Sequence, residues 1–266
     1  MLTSLKNPKV AAVARLRKDA ARERERSFLV EGAQGISEAL EREPPGVVAL
    51  LVADPLDPLA VRASQRGVDV SHASQDVLRK LTSTVTPQGI VGVAPYLDVD
   101  LSAVPHSDPS CVTVLHEVRD PGNAGTVIRS ADAAGASAVV FTTSSVDVYN
   151  PKTVRASAGS LFHLPVVRGV PTAEAIESLR GRGFRIFAMD ADGSENLYGL
   201  DLGGPVAFVF GNEAHGLPQE VVRLADATVR VPHAGRAESL NLAAAATCAC
   251  SNGLAAGSEK ALPSRP

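Results

Sequence analysis

The sequence predicts an α/β protein with a small N-terminal α/β part and a larger C-terminal part built on a mainly parallel sheet. Three observations carry that reading. The second half alternates short uninterrupted apolar runs with helical patterns, and strands apolar at every residue are those covered on both faces. The first half mixes shorter strands with amphipathic helices. Between them, residues 96–109 follow Pro95 and hold Pro105 and Pro109, which reads as an interdomain linker. A chain of 266 residues is long for a single domain and suits this division. The expected organisation is an N-terminal domain over 1–95, the linker over 96–109, a second domain over 110–256 and a flexible polar tail over 257–266.

The elements follow in order. Val10, Val13 and Leu16 give the first 30 residues one apolar helical stripe among charges. Residues 28–31 read as a short strand, 34–41 as a helix through Ile36, Ala39 and Leu40, and 47–52 as a strand. A proline-rich turn over 54–58 leads to a helix over 59–66, a strand over 68–70 and a helix over 74–81. The polar stretch 82–89 is turn-like, and 90–94 resumes an apolar run. In the second half, strands are expected at 112–115, 138–141, 185–189 and 206–210, with Val229 and Val231 marking the last. Helices are expected at 124–134, closed by Gly135, and at 153–160, 171–180 and 239–250.

Composition excludes several classes. No apolar run approaches the roughly 20 residues that cross a bilayer; the best candidate, 242–250, is Ala-rich and short. The N-terminus has charges where a secretory signal has an apolar core. A cytoplasmic protein is expected. Cys111, Cys248 and Cys250 have neither CxxC nor Cys/His metal spacing, so reduced, mostly buried residues and no metal are expected. The net charge of −3 argues mildly against a general polyanion binder. Locally the balance differs: within residues 1–30, Lys6, Lys9, Arg15, Arg17, Lys18, Arg22, Arg24 and Arg26 face only Asp19, Glu23 and Glu25. A solvated helix face and an RNA-binding face both fit that segment.

Three loops follow apolar strands in the second half, where a doubly wound sheet places its ligand. The first runs from His116 through Asp120-Pro121-Gly122-Asn123-Ala124-Gly125 to Arg129. Its glycines allow close backbone approach, and a helix start offers free amides. Asn123 alone reads best as the helix cap; Arg129, two turns on, fits a surface charge, whereas on the buried face it needs a carboxylate or phosphate partner. The second loop is Gly211-Asn212-Glu213-Ala214-His215-Gly216-Leu217-Pro218, with a plain turn as the alternative and no catalytic role for His215. The third runs from Val231 through Pro232, His233 and Gly235 to Ser239-Leu240-Asn241, entering a helix of small residues that Ser239 or Asn241 could cap.

Together their order and spacing are specific. Asn123-x-Gly-x-x-x-Arg129, then Phe-Val-Phe-Gly-Asn-Glu-x-x-Gly-Leu, then Val-Pro-x-x-Gly-x-x-x-Ser-Leu-Asn resemble the three motifs of the SpoU (TrmH-like) RNA 2'-O-ribose methyltransferases of the SPOUT superfamily. Phe28-Leu29-Val30-Glu31-Gly32 with Glu38-Ala39-Leu40, and Thr86-Pro87-Gln88-Gly89-Ile90-Val91, resemble the small RNA substrate-binding domain of many members. The resemblance covers about residues 5–255.

The resemblance implies a C-terminal α/β-knot fold, a deep trefoil knot that no periodicity could reveal, with S-adenosyl-L-methionine bent in the knotted loops. It also implies a homodimer whose interface completes the site. Gly211, Val231 and Leu240 match positions giving main-chain contacts to the cofactor, and Gly216 shapes the same loop. Asn123, Arg129, Glu213, Ser239 and Asn241 match the family's catalytic set. The implied reaction removes a proton from a ribose 2'-hydroxyl, which then displaces the activated methyl in line. Arg129 is the family's proposed base, although a free guanidinium stays protonated; a phosphate clamp that orients the hydroxyl is the alternative. His233 stands where the family often has Met. Ribosomal RNA is expected before tRNA, because tRNA-acting members often carry extensions in place of this N-terminal domain. A non-catalytic RNA-binding assembly factor would be expected to lose Asn123, Arg129 or Ser239, and a nicotinamide enzyme would need a GxGxxG fingerprint that the sequence lacks.

Overall fold

The computed structural model describes residues 1–84, 86–106, 110–235 and 239–258, with side chains as far as Gly253 in the last stretch. The elements in chain order are α1 (Pro8–Arg15), α2 (Asp19–Glu25), β1 (Ser27–Glu31), α3 (Ala33–Glu41), β2 (Ala49–Val52), α4 (Pro58–Gln65), β3 (Asp69–His72), α5 (Gln75–Leu81) and β4 (Ile90–Pro95). Then follow β5 (Cys111–Leu115), α6 (Pro121–Ala134), β6 (Ala138–Thr142), α7 (Pro151–Ala156), β7 (Val166–Val170), α8 (Thr172–Gly181) and β8 (Arg185–Met189). The chain ends with β9 (Glu195–Asn196), β10 (Val206–Phe210), α9 (Gln219–Val222), β11 (Ala227–Arg230) and α10 (Leu242–Ser258).

The described contacts define two compact units: Met1–Leu97 with Asp147–His163, and Asp98–Val146 with the residues from Leu164 onward. The first unit holds a four-stranded sheet in the order β1-β4-β2-β3. β4 runs antiparallel to both neighbours, while β2 and β3 are parallel. The basic N-terminal segment is two helices, because Leu16 ends α1 and Arg26 ends α2 in the left-handed region at φ 47°. Val10, Val13 and Leu16 pack on Leu29, Leu51, Leu78 and Val91, so the apolar stripe faces inward as its spacing predicts. Arg22 departs from the charged pattern: it is 3% exposed, its Nε donates to Asp147 at 2.8 Å and its Nη2 also reaches that carboxylate. Neither the solvated-face nor the RNA-face reading anticipates this, since the partner lies 125 residues away.

The same unit is filled by an aromatic group. Tyr149 is fully buried, stacks on Tyr96 at 3.9 Å and packs on Phe28 at 4.6 Å, and its hydroxyl accepts the Leu97 N–H at 2.7 Å. Residues 147–163 therefore belong to this unit by packing, although the linear division over 110–256 puts them elsewhere. Sequence order alone carries no sign of that return. The helix expected over 153–160 is the shorter α7, followed by a 3-10 turn at Ser160–Phe162.

The second unit holds a seven-stranded sheet in the order β7-β6-β5-β10-β8-β11-β9, with every pair parallel. Alternate residues serve opposite faces. Val112 and Val114 join Ala175, Ile176 and Leu179 of α8 in one core. On the other face Thr113 bonds Cys250 of α10, and a Cβ on Gly253 would stand only 3.1 Å from the Phe208 ring. Covered faces explain why these strands are apolar throughout. Gly135, at φ 81°, closes α6 as expected. Residues 98–104, expected as linker, are bound into this unit: Val99 N–H meets Val166 O at 2.9 Å, Val104 is buried and Leu101 packs beside it. The last strand lies at 227–230, and the last helix begins three residues later than expected.

Candidate active site

The site is built where buried strands end. The segments after β5, β8, β10 and β11 surround a cavity of about 570 Å³ at the carboxyl end of the sheet. Its lining includes Asn123, Gly211, Glu213, Gly216, Val231, Ser239, Leu240 and Asn241, eight of the nine residues singled out from the sequence.

The first loop corrects a local reading. Asp120, not Asn123, caps α6: its Oδ1 accepts the Asn123 N–H at 2.8 Å, and Pro121 occupies the first helical turn. The Asn123 side chain is thereby free for other work. Its Nδ2 donates to Glu213 Oε1 at 3.3 Å, and its Oδ1 accepts from Asn241 Nδ2 at 3.0 Å. Asn241 in turn caps α10, accepting the Ala243 N–H at 2.9 Å. One residue from each loop thus meets in a single chain of hydrogen bonds.

Glu213 anchors that chain. Its two oxygens accept the backbone N–H groups of Arg119 and Asp120, both at 3.0 Å. Burial works against the carboxylate, but those two N–H groups, its own N–H and the Asn123 amide outweigh it and hold the group below the ordinary glutamate range. A glutamate tied in this way keeps the first loop in register with the second.

The second loop is made of backbone. Asn212 and Gly216 exchange N–H···O bonds of 3.1 and 2.9 Å, and the Asn212 amide donates to Glu117 O at 2.8 Å. A Cβ on Gly211 would lie 2.1 Å from the Gly216 carbonyl carbon, and Gly216 sits at φ 66°, so both positions need glycine for different reasons. Asn212 is a loop-forming residue that sequence reasoning passed over; its place between Gly211 and Glu213 was the available signal.

In the third loop Val231, His233, Ser239 and Leu240 line the cavity, and Leu240 is 37% exposed. His233 Nδ1 lies 3.3 Å from Val231 O. Residues 236–238 lie outside the described residues. Met189 and Asp190, at the end of β8, also line the cavity and were missed. An acidic residue directly after a buried apolar strand was the sign that could have found them.

Arg129 is not brought to this cavity. It is exposed on α6 and has no hydrogen bond or ion pair among the described residues, so the buried-face alternative fails. His116 also stays outside the lining: its Nδ1 lies 2.7 Å from Thr172 Oγ1, and burial lowers its pKa against the opposing pull of Glu117 and Glu220.

Residues 110–251 match the model of the SpoU rRNA Methylase family. The chain belongs to that family. Residues 7–92 match the MRM3-like substrate binding domain. Among relatives, the 23S rRNA (guanosine(2553)-2'-O)-methyltransferase RlmP of Bacillus subtilis is 33% identical over 92% of this chain and 95% of that protein. The 23S rRNA (uridine(2479)-2'-O)-methyltransferase of Streptomyces viridochromogenes is 34% identical over 85% of this chain and 82% of that protein. Among solved structures, an AdoMet-bound rRNA methyltransferase from Sinorhizobium meliloti superposes with a TM-score of 0.86 at 33% identity, covering 98% of each chain. In this SpoU-family chain the three matched motifs are therefore the three loops that close one cavity.

Proposed function

We propose that this chain is an S-adenosyl-L-methionine-dependent methyltransferase acting on a ribose 2'-hydroxyl of ribosomal RNA. The observation that carries the reading is the Asn123–Glu213–Asn241 network, which ties all three motif loops around a cavity at the carboxyl end of a parallel sheet. The relatives named as 23S rRNA 2'-O-methyltransferases, matched over most of their length, support the substrate class.

The residues present fit the cofactor. The cavity has room for a nucleoside between the apolar Met189, Phe210, Leu240 and Ala245, and Gly211 and Val231 line it. Gly216 shapes the loop that holds Gly211. S-adenosyl-L-methionine supplies a methyl group already activated on a sulfonium. The protein's part is alignment and removal of a proton. Asn123 and Ser239 are assigned to hydrogen bonds with the ribose, Asn241 to holding Asn123, and Glu213 to positioning the first loop.

The reading includes a homodimer in which Arg129 of one copy serves the cavity of the other. Its support is that Arg129 is exposed, unpartnered among the described residues and outside its own chain's cavity. There a guanidinium suits a phosphate clamp that orients the hydroxyl better than a base, because it stays protonated. A knotted path is part of the same reading. A Cβ on Gly193 would stand 2.5 Å from the Val229 carbonyl carbon, so the segment after β8 lies hard against β11. Action on ribosomal RNA also carries the cytoplasmic assignment; among the described residues no helix is long and apolar enough to cross a membrane.

The test is tritiated methyl transfer from S-adenosylmethionine to unmodified ribosomal RNA and to bulk tRNA, with S-adenosylhomocysteine binding measured on the same preparation. Label in ribosomal RNA supports the reading. Label confined to tRNA moves the substrate, and bound cofactor product without label in either RNA replaces the enzyme by a non-catalytic RNA-binding factor.

A further inference from the structure

A second cavity, of about 230 Å³, lies wholly within the first unit. Its floor is apolar, made by Val30, Ile90, Val154 and Phe162. Its mouth is polar, made by Thr82, Thr84, Thr86 and Gln88 and by Arg155 of α7. Such a cavity is too small for a whole cofactor and suits one flat ring.

The polar groups at the mouth have an uneven chemistry. Glu31, whose side chain is only 4% exposed, already accepts from the Ser83 N–H at 3.0 Å, from the Ser83 hydroxyl at 3.1 Å and from Arg155 Nη1 at 3.3 Å. Its lone pairs are therefore spent on holding the loop and the arginine. Gln88 Oε1 accepts the Ala33 N–H at 2.7 Å, which fixes the amide and leaves its Nε2 without a partner among the described residues. The hydroxyls of Thr84 and Thr86 and the remaining guanidinium N–H groups of Arg155 are likewise without partners there. The donor-only groups at the mouth are thus the Gln88 amide N–H and the Arg155 guanidinium, beside threonine hydroxyls that donate or accept and the Gln34 amide oxygen, around an apolar slot. Gly32, at φ 90°, brings backbone to the wall, where a Cβ would stand 3.0 Å from Gln88 Oε1.

We propose that this cavity is a base-reading site that takes one unstacked nucleobase of the RNA, with a preference for uracil and guanine, which carry a carbonyl where cytosine and adenine carry an amino group. Sequence-selective contacts to RNA fall mostly on single-stranded bases splayed into pockets and read on their edges. The Gln88 amide N–H and the Arg155 guanidinium pair with uracil O4 or guanine O6, whereas the amino group that cytosine or adenine carries at the same ring position meets a donor there. The proposal rests on RNA being the substrate and adds where on the chain, and by which chemistry, one base is chosen.

The test measures binding of short oligo(rU) and oligo(rA) to the full chain by fluorescence anisotropy, with S-adenosylhomocysteine affinity and melting temperature recorded on each preparation. The wild type is expected to favour oligo(rU) by about tenfold, the discrimination one good edge contact provides. Gln88→Glu keeps the acceptor for Ala33 and removes the donor; it should bring the ratio near one with cofactor affinity and melting unchanged. The ratio is read, because the added charge weakens all RNA binding. Thr86→Trp, which plugs the mouth without touching the Ala33 bond, should do the same. Equal binding of the two RNAs by the wild type, binding of neither, or a ratio that persists in a well-folded variant overturns the proposal. Failure of the methyltransferase reading shows separately, as absence of methyl transfer by the wild type.

Discussion

Two arginines divide the molecule's chemistry between them. Arg22 of α2 is 3% exposed and spends its guanidinium on Asp147 and on the Leu16 carbonyl. Arg129 of α6 is exposed and spends nothing on any described residue. In the sequence they look alike, each a cation on a helix with apolar neighbours. The difference teaches that burial turns a charge into structure: a desolvated guanidinium has to be satisfied by its own chain, and one so satisfied has nothing left for a ligand. An exposed cation beside a motif loop keeps its donors for a substrate or a second subunit.

That contrast is broken most sharply by removing Arg129. Arg129→Ala is expected to lower methyl transfer by about 100-fold or more, the scale of losing one positioned charge, while melting temperature and S-adenosylhomocysteine affinity stay as in the wild type. Undiminished turnover would remove Arg129 from the reaction. The converse substitution, Arg22→Met, leaves the largely enclosed Asp147 without its cation and is expected to cost about 3 kcal/mol of stability. Denaturant unfolding measures that loss, and cofactor affinity measured well below the new transition should hold. Burial already raises the Asp147 pKa, against the neighbouring Tyr149 N–H and Arg22. A carboxyl raised in the folded state favours folding at low pH, and the benefit fades as pH rises through the folded pKa. Without Arg22 that fading should be steeper.

Glu213 lies between these extremes, because it touches both the loop backbone and the Asn123 side chain. Glu213→Gln loses one of two backbone acceptances and is expected to cost about 1 kcal/mol, with weaker methyl transfer as Asn123 loosens. The pH dependence gives a finer reading. A glutamate held low contributes stability above its unfolded pKa, and that contribution disappears as pH falls through the lower folded value. The wild type should therefore lose loop stability on acidification where the Gln variant shows no such loss, a comparison open to pH-dependent unfolding. The smallest effect is expected of Asp120→Ala, about 1 kcal/mol or less for a half-buried helix cap, with the Asn123 contacts retained. A large loss of activity there would mean that the first loop is set by its cap more than by Glu213.

The same physics decides what could be read from sequence. The strands at 112–115, 138–141, 185–189 and 206–210 were legible because both faces of the sheet are covered, which makes every residue apolar. β7 was not: Arg168 and Gly169 interrupt its apolar run, and its register with β6 shifts at Phe141/Thr142. The motif loops were legible as places, since glycine and polar residues gather after buried strands. Their internal bonds were not. Asn123 looked like a cap because nothing local distinguishes it from Asp120, and the contact that engages its side chain comes from Glu213, 90 residues on. Asp147 and Tyr149 carried no sign of their role for the same reason: their partners, Arg22 and Phe28, lie in the other half of the chain.

The central claim is the atom that receives the methyl group, and alkaline hydrolysis of labelled ribosomal RNA tests it directly. A 2'-O-methyl group removes the hydroxyl that attacks the neighbouring phosphodiester, so the predicted result is tritium in alkali-resistant dinucleotides, absent when Arg129→Ala replaces the wild type. Tritium in mononucleotides would place the methyl on a base and contradict the account.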